Sequence, residues 1–441
     1  MEQSRRILED DRNTVPPVPD AAAGLAWLRA SVPRFASGER HSRLRALTER
    51  VLAELDVREV AAGARRLAAA GLDARRVTVR ALLDDEAAAE CVLRIGPVYR
   101  AGDDPAADEA VERLVDRFGG RSEETAARIG VLVQACEATA ALIAGADPPA
   151  PATARLVDGQ LVEVPLDGVP FGAGRHACPG EALARAIARA VTGPERFRAL
   201  HAGPAPLLLP NGWDAGSVAF LARSFEAVGT TSLGVALAAG KRDGAGTTRD
   251  ETVELTARAA HLCLLTVDVE GGLSDDPAEV AELAEQLAAL GAVGVNLEDG
   301  GRDPALHARI VAAVKEGAPR LFVNARADTF WLGGPSAGVA ETTERLRRYA
   351  AAGADGVFVP GVRDEHAVAE LVAATPLPLN LLWSPGTDLA RLGELGVRRV
   401  SLGSLLARAA LGTVGALAGR IAARETVEVD APAYDEAAAL F

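Results

Sequence analysis

The stretch T-V-D-V-E-G-G, Thr266 to Gly272, follows the apolar run H-L-C-L-L and ends in two carboxylates and two glycines. Side chains two apart on a strand face the same way, so Asp268 and Glu270 are expected to approach one small region. Glu298, in G-V-N-L-E-D-G, reaches that region from the next repeat. Three converging carboxylates with no lysine nearby in sequence repel one another. A hard divalent cation removes the repulsion, and oxygen ligands with retained waters suit Mg²⁺ or Mn²⁺. Arg326, in N-A-R-A-D, is a natural clamp for a substrate carboxylate, with Asn324 just before it. The turn Thr231–Ser232–Leu233–Gly234 offers amide groups to an anion at a helix start. Asp299 and Asp328 read as helix caps or ion-pair partners, His307 as a surface helix residue with a candidate acid or base as the alternative, and Cys263 as core.

These residues need a scaffold that brings strand ends together. Apolar runs centre on Leu207–Leu209, Val228–Thr231, Leu264–Asp268, Val293–Leu297, Leu321–Ala325, Gly356–Val359, Leu377–Leu382 and Arg398–Leu402. Helical patterns separate them. L-G-A-V-G-V-N-L, A-G-A-D-G-V-F-V and L-G-V-R-R-V-S-L share a lead-in in which glycine ends a helix before a strand. Eight such βα units predict an α/β fold, a (β/α)8 TIM barrel over residues 203–425; an open doubly wound sheet is the alternative. Residues just after each strand then line one face, and the acids above fall there.

Residues 1–195 read as mostly helical, with a turn at L-V-D-G-Q-L-V-E-V that suits a hairpin and a helix from Glu181 to Val191. The boundary is placed near His201–Pro206, and residues 426–441 form a tail. A net charge of -14 over 441 residues speaks against a nucleic-acid partner. Four scattered cysteines fit a reduced, cytoplasmic chain better than a disulfide framework. The charged start carries no apolar leader, and no clean apolar window of membrane-spanning length is expected.

The second half resembles the isocitrate lyase and phosphoenolpyruvate mutase superfamily, specifically its phosphonomutase-like members, through L-L-L-P-N-G-W-D-A-G-S, T-T-S-L-G-V-A, V-D-V-E-G-G, G-V-N-L-E-D-G, N-A-R-A-D-T-F and G-A-D-G-V-F-V-P-G. The resemblance implies cleavage of a C–C bond, or cleavage or rearrangement of a P–C bond, beside a small 2-oxo or 2-hydroxy acid, with Mg²⁺ as cofactor. It implies Asp268 as the principal metal-side carboxylate, with Glu270 and Glu298 acting through waters. Ser232 and the following amides would hold the substrate carboxylate, Arg326 the oxyanion end, and Asp243 in K-R-D-G would be a further acid. It also implies a homo-oligomer, a tetramer or dimer. The K-K-C-G-H loop of true isocitrate lyases is missing, and only D-G-G-R-D-P-A-L-H follows Glu298, so the catalytic lid is expected to be short.

F-G-A-G-R-H-A-C-P-G, Phe171 to Gly180, resembles the haem-thiolate loop of cytochromes P450, which implies Cys178 as an iron ligand with His41 and Arg45 at the haem propionates. No E-x-x-R helix lies between Thr139 and Phe171, so the region reads as a truncated relative and haem is not the expected cofactor. Haem-thiolate oxidoreductase and non-catalytic binding of a small acid or a partner are the alternatives to the lyase reading.

Overall fold

The structure, a computed structural model, describes residues 2–333 and 338–440. It divides into two compact units, Met1–Thr192 and Gly193–Phe441.

The first unit is built from helices whose starts are written in the sequence. Asp56, Asp73, Asp85, Asp104 and Ser122 each accept a backbone N–H at a helix N-terminus, which satisfies donors the helix itself cannot. The helix Glu123–Ile143 runs through the core, where Ile129, Val133 and Cys136 pack with Leu28, Val92 and Val111. After it comes an antiparallel hairpin, β1 (Ala152–Val157) and β2 (Gln160–Pro165). Its turn residues Asp158 and Gly159 both have positive φ, the hand that matches the strand twist. The helix after the Cys178 turn runs from Glu181 to Leu200, past Pro194 and beyond its expected end.

The second unit is a parallel barrel. Its strands are β3 (Leu207–Leu209), β4 (Asn211–Gly212), β5 (Ala227–Thr230), β6 (Leu264–Asp268), β7 (Gly294–Glu298), β8 (Phe322–Arg326), β9 (Gly356–Phe358), β10 (Leu379–Leu382) and β11 (Arg399–Ser401). Strands β3 and β4 are two halves of one stave split at Pro210, which has no N–H to give the ladder. The lower half pairs with β11 and the upper half with β5, and this closes the ring. Asn211 ties the seam, donating to the Thr230 carbonyl (2.7 Å) and accepting from Gly403 N (2.8 Å).

The period of two sorts each strand. Val267, Val295, Leu297, Val323 and Ala325 face outward into the layer between strands and helices. The inward residues change character up the barrel. Leu264 and Phe322 close the bottom with Phe197 and Leu209. Asn296 and Asn324, directly paired in register, form a polar layer with Asn380, Ser401 and Arg399. Asp268, Glu298 and Arg326 end their strands above it, with Glu298 opposite Arg326.

Two helices, Glu123–Ile143 and Leu405–Ala422, are long and apolar enough to cross a membrane by length and composition, although polar and charged residues interrupt both. The first is a core helix; the second is largely exposed, and alanine and glycine supply much of its apolar count.

Candidate active site

The rim above the C-terminal strand ends is assembled from four consecutive staves. Asp268 accepts from the backbone N of Ser232 at Oδ2 (3.0 Å) and from Glu270 N at Oδ1 (3.4 Å). The strand stops at Asp268, and Glu270 sits in a left-handed turn at φ 50°. The two acids therefore meet through a turn, not through strand alternation as the sequence suggested. A non-glycine residue held in that region costs on the order of 1 kcal/mol, which the surrounding bonds must offset. Glu270 is 5% exposed and accepts from Gly246 N (3.1 Å) and Thr248 Oγ1 (3.3 Å).

Glu298 forms an ion pair with Arg326. The same guanidinium meets Asp328 through both Nε and Nη2 at 2.6 Å. The rings of Phe358 and Trp331 lie 5.6 and 5.7 Å from its centre. Arg326, expected to clamp a substrate acid, is thus held by two protein carboxylates. Asp328 is fixed in turn by Asp299, which accepts its backbone N–H (3.0 Å). Asp299 is 1% exposed and also accepts from Arg345 (2.9 Å) and the Tyr349 hydroxyl (2.6 Å). Both acids are ion-pair partners, the second of the two roles the sequence allowed.

Acids outnumber bases here. Burial raises the carboxyls of Asp268 and Glu270 above the usual range. Burial takes Glu298 to about 8; Arg326 opposes the rise, while Asp268, Asp328 and the exposed Asp243 add to it. Burial works against the charge on Arg326, but Glu298, Asp328 and Asp268 outweigh it. Burial and mutual repulsion thus favour the protonated form of the Glu298 group, against the pull of Arg326. Among the described residues no cluster of three His, Cys, Asp or Glu side chains closes to direct ligation distance of one metal ion.

The remaining expected residues take distinct places. Thr231 is buried, with its N–H on the Gly212 carbonyl (3.2 Å). Ser232 starts the helix Ser232–Ala238, and its amide is given to Asp268, so Leu233 and Gly234 supply the next amides of that turn. A Cβ on Gly234 would lie 2.5 Å from Trp213 Cβ, so only glycine lets this turn approach Trp213. Asn324 lies inside the barrel, 1% exposed, and donates to Asn296 (2.7 Å). His307 is buried against Tyr349 at 4.6 Å and not on the surface; burial lowers its pKa to about 4. Cys263 is core, as expected. Only Asp299 to Asp303 separate β7 from the helix Pro304–Gly317, so the connection is short.

Arg399 escaped the sequence reading. It is fully buried in the polar layer, with Nε on Ser401 Oγ (3.2 Å) and Nη2 on Asn296 Oδ1 (3.1 Å). Burial lowers its pKa to about 9, and Asp268 is the acid that opposes this. The signal was present as R-R-V-S, a charge on the inward alternation of an apolar strand.

In the first unit, Arg45 donates to the Ala177 carbonyl beside Cys178, and His41 packs on His176 with 4.0 Å between ring centres. Cys178 reaches the surface, yet protein packed around its sulfur raises the thiol pKa, against the thiolate that iron ligation needs.

Parallel barrel and acidic rim together define an enzyme scaffold of the TIM-barrel class, with its polar groups at the strand C-termini. The model of the phosphoenolpyruvate phosphomutase family matches residues 197–422, and the chain belongs to this family, within the isocitrate lyase and phosphoenolpyruvate mutase superfamily of enzymes. An uncharacterized protein of Mycobacterium tuberculosis is 46% identical over 215 residues, 47% of this chain and 82% of that protein. The solved structure of a Burkholderia cenocepacia protein described as a lyase/mutase is 33% identical and covers 55% of this chain and 93% of its own, with a TM-score of 0.51. Oxaloacetate decarboxylase of Rhodopseudomonas palustris is 31% identical over 165 residues, 34% of this chain and 55% of that enzyme. The family match leaves the Cys178 turn outside it.

Proposed function

We propose that the barrel is a Mg²⁺- or Mn²⁺-dependent lyase that breaks a C–C bond next to the carbonyl of a small 2-oxo diacid, with decarboxylation as the favoured outcome. The observation that carries this reading is the acid-rich rim, where Asp268, Glu270 and Glu298 come together and Arg326 is already paired with Glu298 and Asp328. The donor set suits a hard cation. Its carboxylates are hard oxygen donors, buried and in mutual repulsion, and a cation relieves that repulsion. Asp268 would hold the ion, with Glu270 and Glu298 reaching it through waters. Such an ion, when bound, lowers the energy of negative charge on the substrate's carbonyl oxygen.

The chain's own groups do the rest. Thr231, Ser232, Leu233 and Gly234 form the turn that receives a substrate carboxylate, through the free amides of Leu233 and Gly234. Arg326 offers its guanidinium edge to the oxo acid and exchanges protein carboxylates for substrate ones. Asp243 stands in the loop above as a further acid. Asn324 acts from below by fixing Asn296 and the polar layer. When the C–C bond breaks, its electron pair passes to the enolate, CO₂ leaves, and water returns a proton to carbon. The likeness to an oxaloacetate decarboxylase supports this choice over mutase chemistry, as does the five-residue connection after Glu298, which is too short to seal a reactive group from water.

The test is a panel of small 2-oxo and 2-hydroxy diacids with Mg²⁺, followed by NMR for pyruvate, oxalate and CO₂-linked products. Turnover of at least one acid is expected, lost with EDTA and reduced at least about a hundredfold in Asp268→Ala with the barrel still folded. Silence across the panel, with the small acids still bound, would favour the binding-only reading.

A further inference from the structure

The first unit gathers positive charge that its acids do not answer. Arg155, on β1, is 5% exposed, and among the described residues its guanidinium reaches only Thr153 Oγ1 (3.3 Å) and the Ala154 carbonyl (2.8 Å). Arg34, in the turn Pro33–Phe35, is hydrogen-bonded or ion-paired to none of the described residues, and lies within electrostatic reach of Tyr99, Arg100 and Cys178. Burial lowers the pKa of both arginines, Arg155 to about 10, and Arg34 adds to the effect on Arg155. Tyr99, beside Arg34, is 3% exposed, and its buried hydroxyl finds no partner among the described residues. Arg100 joins the same edge by donating to the Ala152 carbonyl at the start of β1 (2.9 Å).

The opposite flank is the pair His41 and His176, whose rings meet at 4.0 Å with a 51° tilt. Burial holds both imidazoles neutral, His176 at about 3, and Arg155, Arg175 and Arg45 reinforce it. The nearby carboxylates are already engaged: Glu49 with Arg45 (2.6 Å) and Asp11 with Arg175 (2.6 Å). A guanidinium taken from water without a counter-charge is costly, and a buried hydroxyl without a partner adds to that cost. This concentration of cations stands in a chain whose net charge is -14, so it is not a general surplus.

We propose that this cluster binds a compact polyanion, a molecule with two or more carboxylate or phosphate groups, with Arg34 and Arg155 as charged donors and the Tyr99 hydroxyl as a neutral one. Planar guanidinium forks match both anion types, and two forks from different elements select a ligand with at least two acidic groups. The site opens to solvent at Arg34 and Cys178. Its residues all belong to the first unit, and it does not depend on the barrel chemistry.

Calorimetric titration of the full chain with pyrophosphate, and separately with citrate, tests this. Saturable binding of at least one is expected. Arg34→Ala, at a partly exposed position, should weaken it about tenfold or more. Tyr99→Phe keeps the ring's edge contact with Phe35 and should weaken it by a smaller factor. Arg326→Gln in the barrel should leave it within about twofold, because independent sites do not couple. Absence of binding for both anions at millimolar concentration overturns the proposal. So does binding lost in Arg326→Gln but kept in Arg34→Ala. Haemin uptake, seen as a Soret band that Arg34→Ala abolishes and neither small anion competes away, assigns the arginines to a macrocycle's carboxylates and overturns it as well.

Discussion

At the scale of single residues, the rim is governed by a surplus of acid. Glu298 ordinarily titrates near 4.5 and is raised to about 8 in the folded chain. The folded state thus binds this proton more tightly than the unfolded state does. Between those two values the unfolded chain has lost its proton while the native one keeps it, so stability falls as pH rises, by at most about 1.4 kcal/mol per pH unit. Urea unfolding of the metal-free protein across pH 5 to about 8 should show this slope, and Glu298→Gln should flatten it. A slope of opposite sign would mean that Arg326 holds Glu298 ionised. The residue types at the rim were legible because acids at strand ends stand out against apolar runs. Arg399 was not legible, because a charge inside a strand reads as a break in the pattern until the barrel gives it an inward place beside Asn296 and Ser401.

At the scale of elements, each strand was placed from its apolar run and its glycine lead-in, since a parallel strand buried on both faces must be short and apolar. What the strands do at their ends was harder to read. Glu270 leaves the strand for a left-handed turn, and period-two reasoning does not extend past a strand's last residue. His307 looked like a surface residue because the helix Pro304–Gly317 is charged on one side, yet the partner that buries it, Tyr349, lies 42 positions further along the chain. The same distance in sequence hid the link from Asp299 to Arg345 and Tyr349, which joins the end of β7 to the helix Val339–Ala351. Removing that buried charge takes from the Tyr349 hydroxyl its carboxylate acceptor and leaves Arg345 with Glu341 and the Arg302 carbonyl alone. Asp299→Asn should therefore lower the unfolding free energy by about 3 kcal/mol, read from the denaturation midpoint, and loosen Asp328 behind Arg326. Unchanged stability would show that water replaces the carboxylate at little cost.

At the scale of the whole molecule, the barrel's last long helix, Leu405–Ala422, leaves Leu411, Val414 and Ile421 between 56% and 67% exposed. Their spacing puts them on one side of the helix, a stripe suited to a second copy of the chain. Light scattering is expected to give a multiple of the 45.6 kDa chain mass, and Leu411→Glu with Val414→Glu to return the single-chain value. A single-chain mass for the unaltered protein would assign the stripe elsewhere. The five residues after Glu298 bear on the chemistry at this scale too. A span that short has no slack to arch over the mouth, and it leaves that side of the rim within reach of bulk liquid. On the proposed lyase reading, a carbanion born there would be quenched by water arriving on that open side. Water from one side meets one face of the enolate, so handedness at a new centre would be set by how the acid lies in the rim.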